Sequence, residues 1–132
     1  MCLQKVKKTL KKTDTGYKIM RRIGDDLYTG EYVTDKNYKK GVWYTRRKKG
    51  KIAASILIEN VSDLNYKSGF HYFKTLKDAK DHITIEPSLD RLYGGCVVVK
   101  VKLKDIHHSG VLSCDYSAIC GVADKMKIIE EV

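Results

Sequence analysis

Apolar and polar positions alternate most clearly over residues 96–103. Val97, Val99, Val101 and Leu103 share one side, and Lys100, Lys102 and Lys104 share the other with Val98. A period of two predicts a strand with one face in a core and one face wet. Residues 17–23 and 27–33, rich in strand formers such as Ile19, Tyr28, Tyr32 and Val33, flank a turn signal at Gly24-Asp25-Asp26. Short strands are also predicted at 42–45 and 69–73, and two more at 111–119 and 126–132, around 121–125. The period changes at 76–83, where Leu76, Ala79 and Ile83 fall at i, i+3 and i+7. Thr75 precedes them as an N-cap, with Asp78 three residues later, so a two-turn helix is predicted. Pro87 and Ser88 open a second helical turn through Leu92, ended by Gly94-Gly95. The run 52–58 pairs with 42–45 as a hairpin, although Ala53 and Ala54 also favour helix. The expected fold class is α+β, a mostly antiparallel sheet with one or two short helices.

The chain has 132 residues, one domain's worth, and 42% of them are hydrophobic, enough to bury a core. Residues 1–15 carry Lys5, Lys7, Lys8, Lys11 and Lys12 over a sparse apolar pattern and are expected to form a basic arm. Residues 16–132 are expected to form the single α+β domain. No apolar run approaches the roughly 20 residues of a membrane span, and no apolar segment follows the basic N-terminus as a secretory signal requires. The expectation is a soluble, cytoplasmic protein without a membrane partner. The four cysteines, Cys2, Cys96, Cys114 and Cys120, show no C-x-x-C spacing, so free thiols are expected rather than a metal site.

Charge sharpens the picture. The chain carries 26 Lys+Arg against 16 Asp+Glu, a net charge of +10. Residues 1–51 hold 16 basic and 5 acidic side chains, whereas 52–132 hold 10 and 11. That division points to an anionic partner recognised by the first two-fifths of the chain.

No nucleotide-binding loop, G-x-S-x-G or H-E-x-x-H motif is present, so the chain reads as non-catalytic, with no cofactor. His107 and His108 are adjacent, and adjacent side chains leave a strand on opposite sides, so the pair reads as a solvated turn rather than a ligand pair. His71 lies inside the strand at 69–73, directly before a helix N-terminus, where it would orient a polar ligand group. Arg21, Arg22, Arg46 and Arg47 would hold phosphates, while Trp43, Tyr44 and Tyr72 would stack a base. This constellation fits a small anionic nucleotide, retained by a homo-oligomer because a domain of this size encloses little of it alone. A nucleic-acid-binding module using the basic arm and the hairpin tip at 46–51 is the alternative. Docking on an acidic protein surface is a third.

The chain resembles a group of small phage and prophage proteins. The shared pieces are Met1-Cys2-Leu3, Tyr17-Lys18-Ile19, the Gly-Phe-His-x-Phe segment at 69–73 leading into a helix, and Ala123-Asp124-Lys125 before Ile128-Ile129. That resemblance implies a phage accessory protein acting in the cytoplasm of an infected host. By analogy it implies a counter-defence role like that of the sponge proteins of the Thoeris and CBASS anti-defence type, which sequester nucleotide signals without catalysis. A fainter resemblance is to ADP-ribosyltransferase-like folds. It would place Arg21 or Arg22 on an early strand, 69–73 on the central one, and Glu130 or Glu131 on a late one. It implies a degenerate, nucleotide-binding domain.

Overall fold

The computed structural model describes residues 3–30, 37–45, 51–53, 65–67, 69–85, 96–112 and 115–132. Strand formers and alternation give β1 (Leu3–Gly24), β2 (Leu27–Gly30), β3 (Asn37–Lys39), β4 (Trp43–Thr45), β5 (Lys51–Ala53), β6 (Asn65–Lys67) and β7 (Phe70–Phe73). One helix, α1 (Leu76–Ile85), follows, and then β8 (Cys96–Leu112) and β9 (Asp115–Glu131). Nine strands against one ten-residue helix, among the described residues, overturn the α+β expectation. The fold is a sheet-dominated, antiparallel one. The sequence misled because helix signals are local and complete within 75–83. The ladder partners of the long strands lie far away in sequence and leave no local mark.

Three long strands carry the architecture. β8 pairs β1 on one edge and β9 on the other, with Tyr17 opposite Lys100 and Lys102 opposite Lys127. The second edge of β1 takes β2 at Met20–Gly24 and touches β7 at Tyr17↔Phe73. The second edge of β9 takes β7 at Cys120–Ala123 and β4 at Lys125–Lys127. The ring β1–β8–β9–β7 therefore closes on itself. β5 and β6 form a separate two-stranded ribbon.

Residues 3–15 continue directly into β1 and pair with β8 from Leu3↔Leu112 to Thr15↔Lys102. Their apolar pattern is sparse because the backbone ladder, rather than a buried side-chain face, fixes them there. The two strands expected at 111–119 and 126–132 are instead parts of longer ones. β8 runs on through Leu112, and β9 is continuous from Asp115.

Closing a sheet puts alternate side chains inside. Met20, Tyr28, Phe70, Tyr72, Val99, Val101, Leu103, Met126 and Ile128 form the larger buried cluster. A second cluster, Ile19, Phe73, Val98, Cys120 and Val122, lies beneath α1, whose Ala79 joins it, with Leu76 and Ile83 packed alongside. The stripe read from the sequence is thus the packed face of the helix. Its cap also forms, because the Asp78 N–H donates to Thr75 Oγ1 at 3.2 Å. The turn at Gly24-Asp25-Asp26 forms as well, with Asp26 at φ 54°.

Candidate anion-binding face of the sheet

Alternation decides which of the expected ligand residues can meet. On β4, Trp43 lies opposite Lys127 and Tyr44 opposite Met126. Met126 is fully buried, so Tyr44 faces inward, where its ring meets Tyr38 edge-on at 4.9 Å. Its phenol oxygen accepts the Lys39 N–H at 2.6 Å. Trp43 faces outward. The two aromatic side chains therefore lie on opposite faces and do not share one ligand.

Tyr72 is also interior, at 0% exposure. Its hydroxyl donates to Asp14 Oδ2 at 2.8 Å, and the Lys74 ammonium donates to the same oxygen. Burial, together with the hydrogen bond to Asp14 and the charge of that carboxylate, pushes the Tyr72 phenol well above its ordinary value. Burial pushes the Asp14 carboxyl up, but hydrogen bonds from Lys74, Tyr72 and the Thr15 N–H outweigh it and hold the group below its usual range. Tyr72 is thus part of a buried polar cluster and presents no face to a base.

His71 is buried on β7 opposite Val122, and its backbone carbonyl accepts the Lys18 ammonium at 2.8 Å. Arg21 is half-buried opposite Cys96, whereas Arg22 is exposed and lies 3.7 Å from Glu131. Arg46 and Arg47 lie outside the described residues. The expected hairpin of 42–45 with 52–58, which would have carried 46–51 at its tip, is not what the described residues form: β4 pairs β9, and β5, which begins at Lys51, pairs β6. Pro87–Leu92, Cys2 and Cys114 also lie outside them. Cys96 and Cys120 are free thiols.

The outward face of β8 and β9 holds a stronger constellation. In register, Lys102 faces Lys127 and Lys104 faces Lys125. Thr15 and Thr13 flank the pairs on β1, and Trp43 and Thr45 flank them on β4. Directly opposed residues have Cβ atoms about 4.5–5.5 Å apart, and like charges there are destabilising. The Lys104 ammonium lies 4.2 Å from the Trp43 ring centroid and that of Lys127 5.2 Å from it. Such cation–π contacts recover about 0.5–1 kcal/mol each, similar to the repulsion they offset. Lys125 reaches Asp105 at 3.5 Å, an exposed pair of small value. Among the described residues, no carboxylate forms an ion pair with Lys102, Lys104 or Lys127. The block is therefore close to neutral for stability and concentrates positive charge around the half-buried Trp43 indole.

Sequence reasoning saw Lys100, Lys102 and Lys104 only as a wet face. The signal that could have found the site is the matching Lys125–Met126–Lys127 alternation. It becomes informative only when the β8–β9 register is known. The linear charge count also hid it, because these lysines belong to the chain segment with no net positive charge.

The histidine pair departs from expectation too. The β8–β9 register slips between Ile106 and His108, so His107 is an extra residue at a bulge. The two rings consequently meet, with Nδ1 of His107 2.6 Å from Nδ1 of His108, one nitrogen donating to the other. Both sit within β8 rather than in a turn. Among the described residues no group of three or more His, Cys, Asp or Glu side chains is placed to hold a metal ion. No described helix is long and apolar enough to cross a membrane. No protein-family model, curated protein or solved structure matches the chain.

Proposed function

We propose that the protein binds single-stranded nucleic acid on the outward face of β8 and β9. The observation that supports this reading is the in-register pairing of Lys102 with Lys127 and of Lys104 with Lys125 beside Trp43. Along a strand the lysines recur every second residue, about 6.6 Å apart. That step is comparable with the spacing of successive phosphates in an extended single strand. A base stacks on the neighbouring indole when a phosphate draws off the lysine ammonium lying over the ring, a contact that tolerates any sequence and that a duplex does not offer. This replaces the basic arm and hairpin tip as the principal contact, while keeping the anionic partner expected from charge. The protein acts where nucleic acid is found, in the cytoplasm, and the homo-oligomer expected from its size would place two such faces on one particle.

Trp43 is the single tryptophan of the chain, so its fluorescence reports on the site directly. Titration with a single-stranded ten-mer is expected to quench it. Four neutralised phosphates give a slope of log K against log salt of about −3, at roughly −0.7 per phosphate. Replacing Trp43 by alanine is expected to weaken binding by about 1–3 kcal/mol, read by anisotropy of a labelled ten-mer. An unquenched Trp43 with a shallow salt slope would overturn the reading. A mononucleotide bound at fixed stoichiometry would favour instead the small nucleotide ligand expected from the sequence.

A further inference from the structure

Residues 3–13 of β1 pair with β8 along one edge. Further along, the other edge of β1 takes β7 at Tyr17 and β2 at 20–24. Among the described residues no strand lies beside the outer edge of 3–13, about half of the 22-residue β1. An uncovered edge carries a row of backbone N–H and C=O groups with which a further strand pairs.

The side chains along this edge define what it admits. Lys7, Lys8 and Lys12 are exposed, and no carboxylate among the described residues pairs with them. Lys11 is engaged with Asp14 at 3.3 Å. Lys7 and Lys8 are neighbours on the strand and leave it on opposite sides, so cations stand on both sides of the edge. Leu10, 84% exposed, lies between Lys8 and Lys11.

Three occupants differ in how they meet these groups. A second copy of the edge would set lysine against lysine, which is destabilising. The register of β1 against β8 also slips twice, between Gln4 and Lys7 and between Lys8 and Lys11, and such bulges bend an edge away from a copy of itself. A nucleic acid would meet the lysines, but residues 3–13 include no aromatic ring for a base to stack on. Its phosphate oxygens only accept hydrogen bonds, so the edge carbonyls would gain nothing from them. An extended acidic peptide meets every group. Its backbone supplies donors and acceptors in step with the edge, its carboxylates face the lysines on both sides, and an apolar side chain covers Leu10.

We infer that the outer edge of residues 3–13 binds an extended acidic segment of a partner protein as an added β-strand. The inference does not rest on the nucleic-acid reading of β8 and β9.

Titration of the whole, isotopically labelled protein with a ten-residue peptide of alternating glutamate and valine, blocked at both ends, tests it by NMR. Shifts are expected to centre on the amides of 3–13, with slowed hydrogen exchange there. N-methylation of the four central peptide amides keeps the charge and removes donors from both peptide edges. It is expected to weaken binding by about tenfold, as the loss of one or two hydrogen bonds implies. Replacing glutamate by lysine in the peptide is expected to abolish binding. The double variant Lys7→Glu, Lys12→Glu is expected to reverse the preference between the two peptides, with its Trp43 fluorescence unchanged. Equal binding of the N-methylated peptide overturns the added strand and leaves only adsorption by charge. Shifts centred on Trp43, Lys102 and Lys127 overturn the location. A single-stranded ten-mer that shifts 3–13 while the acidic peptide does not overturns the partner class.

Discussion

The ring of Tyr72 occupies space that only glycine leaves open. A Cβ at Gly16 would collide with the Tyr72 ring and come within 2.8 Å of the Phe73 carbonyl, and one at Gly121 would lie 2.5 Å from the Tyr72 hydroxyl. These two glycines let a tyrosine cross the interior and deliver its hydroxyl to Asp14. The carboxylate so held has a titration consequence. Its pKa is lower in the folded protein than its ordinary 3.8, so its stabilisation is fully present above that value. Stability is lost as pH falls through the lower, folded value. Asp14→Asn is expected to be less stable at pH 7 by about 1–3 kcal/mol, since it weakens hydrogen bonds to a charged group. It is also expected to lose less stability than wild type between pH 5 and pH 2, an interval of about three units around the ordinary value. Urea unfolding of both proteins at each pH measures this. Parallel pH profiles would show that Asp14 titrates alike folded and unfolded.

At the scale of elements, the hairpin of β8 and β9 separates stability from binding. Its outward register sets lysine against lysine twice, whereas its inward register sets Val101 against Ile128 and Leu103 against Met126. The inward pairs hold the hairpin, so the outward ones are open to substitution. Lys127→Glu converts one like-charge pair into an opposite-charge pair, which shifts the pairing by about 0.2–1 kcal/mol in the favourable direction. The variant also gives up the contact of Lys127 with the Trp43 ring, a similar amount, so its denaturant midpoint is expected to stay close to that of wild type. The same change is expected to weaken nucleic-acid binding at least tenfold, because it removes a cation beside Trp43 and adds a repelling carboxylate. A variant that loses stability and affinity together would show that the lysines serve the fold.

At the scale of the molecule, closure of the ring depends on pairings between distant parts of the chain. Tyr17 sits between Lys100 on β8 and Phe73 on β7, and neither partner is near it in sequence. Contacts of this kind demand loop closure before they return free energy, which slows folding. Refolding from urea, followed by Trp43 fluorescence in a stopped-flow instrument, is expected over milliseconds to seconds. A microsecond phase carrying the full amplitude would contradict this.

What the sequence determined by itself lies where its signals are local. The alternation at 96–103, the capped helix with its stripe at Leu76, Ala79 and Ile83, and the turn at Gly24-Asp25-Asp26 each lie within about ten residues and were legible. The excess of positive charge was legible too, as a property of composition. The tertiary structure decided the rest. It drew residues 3–15 into β1, because a strand without an apolar face exists only where a neighbour supplies the ladder. It turned Trp43 outward and Tyr44 and Tyr72 inward, because facing depends on register and a shift of one residue reverses it. It brought His107 against His108 at a bulge that no local pattern announces. It also assembled Lys102, Lys104, Lys125 and Lys127 into one patch, because the distance between charges, which governs their field, is set by strand pairing and not by separation along the chain.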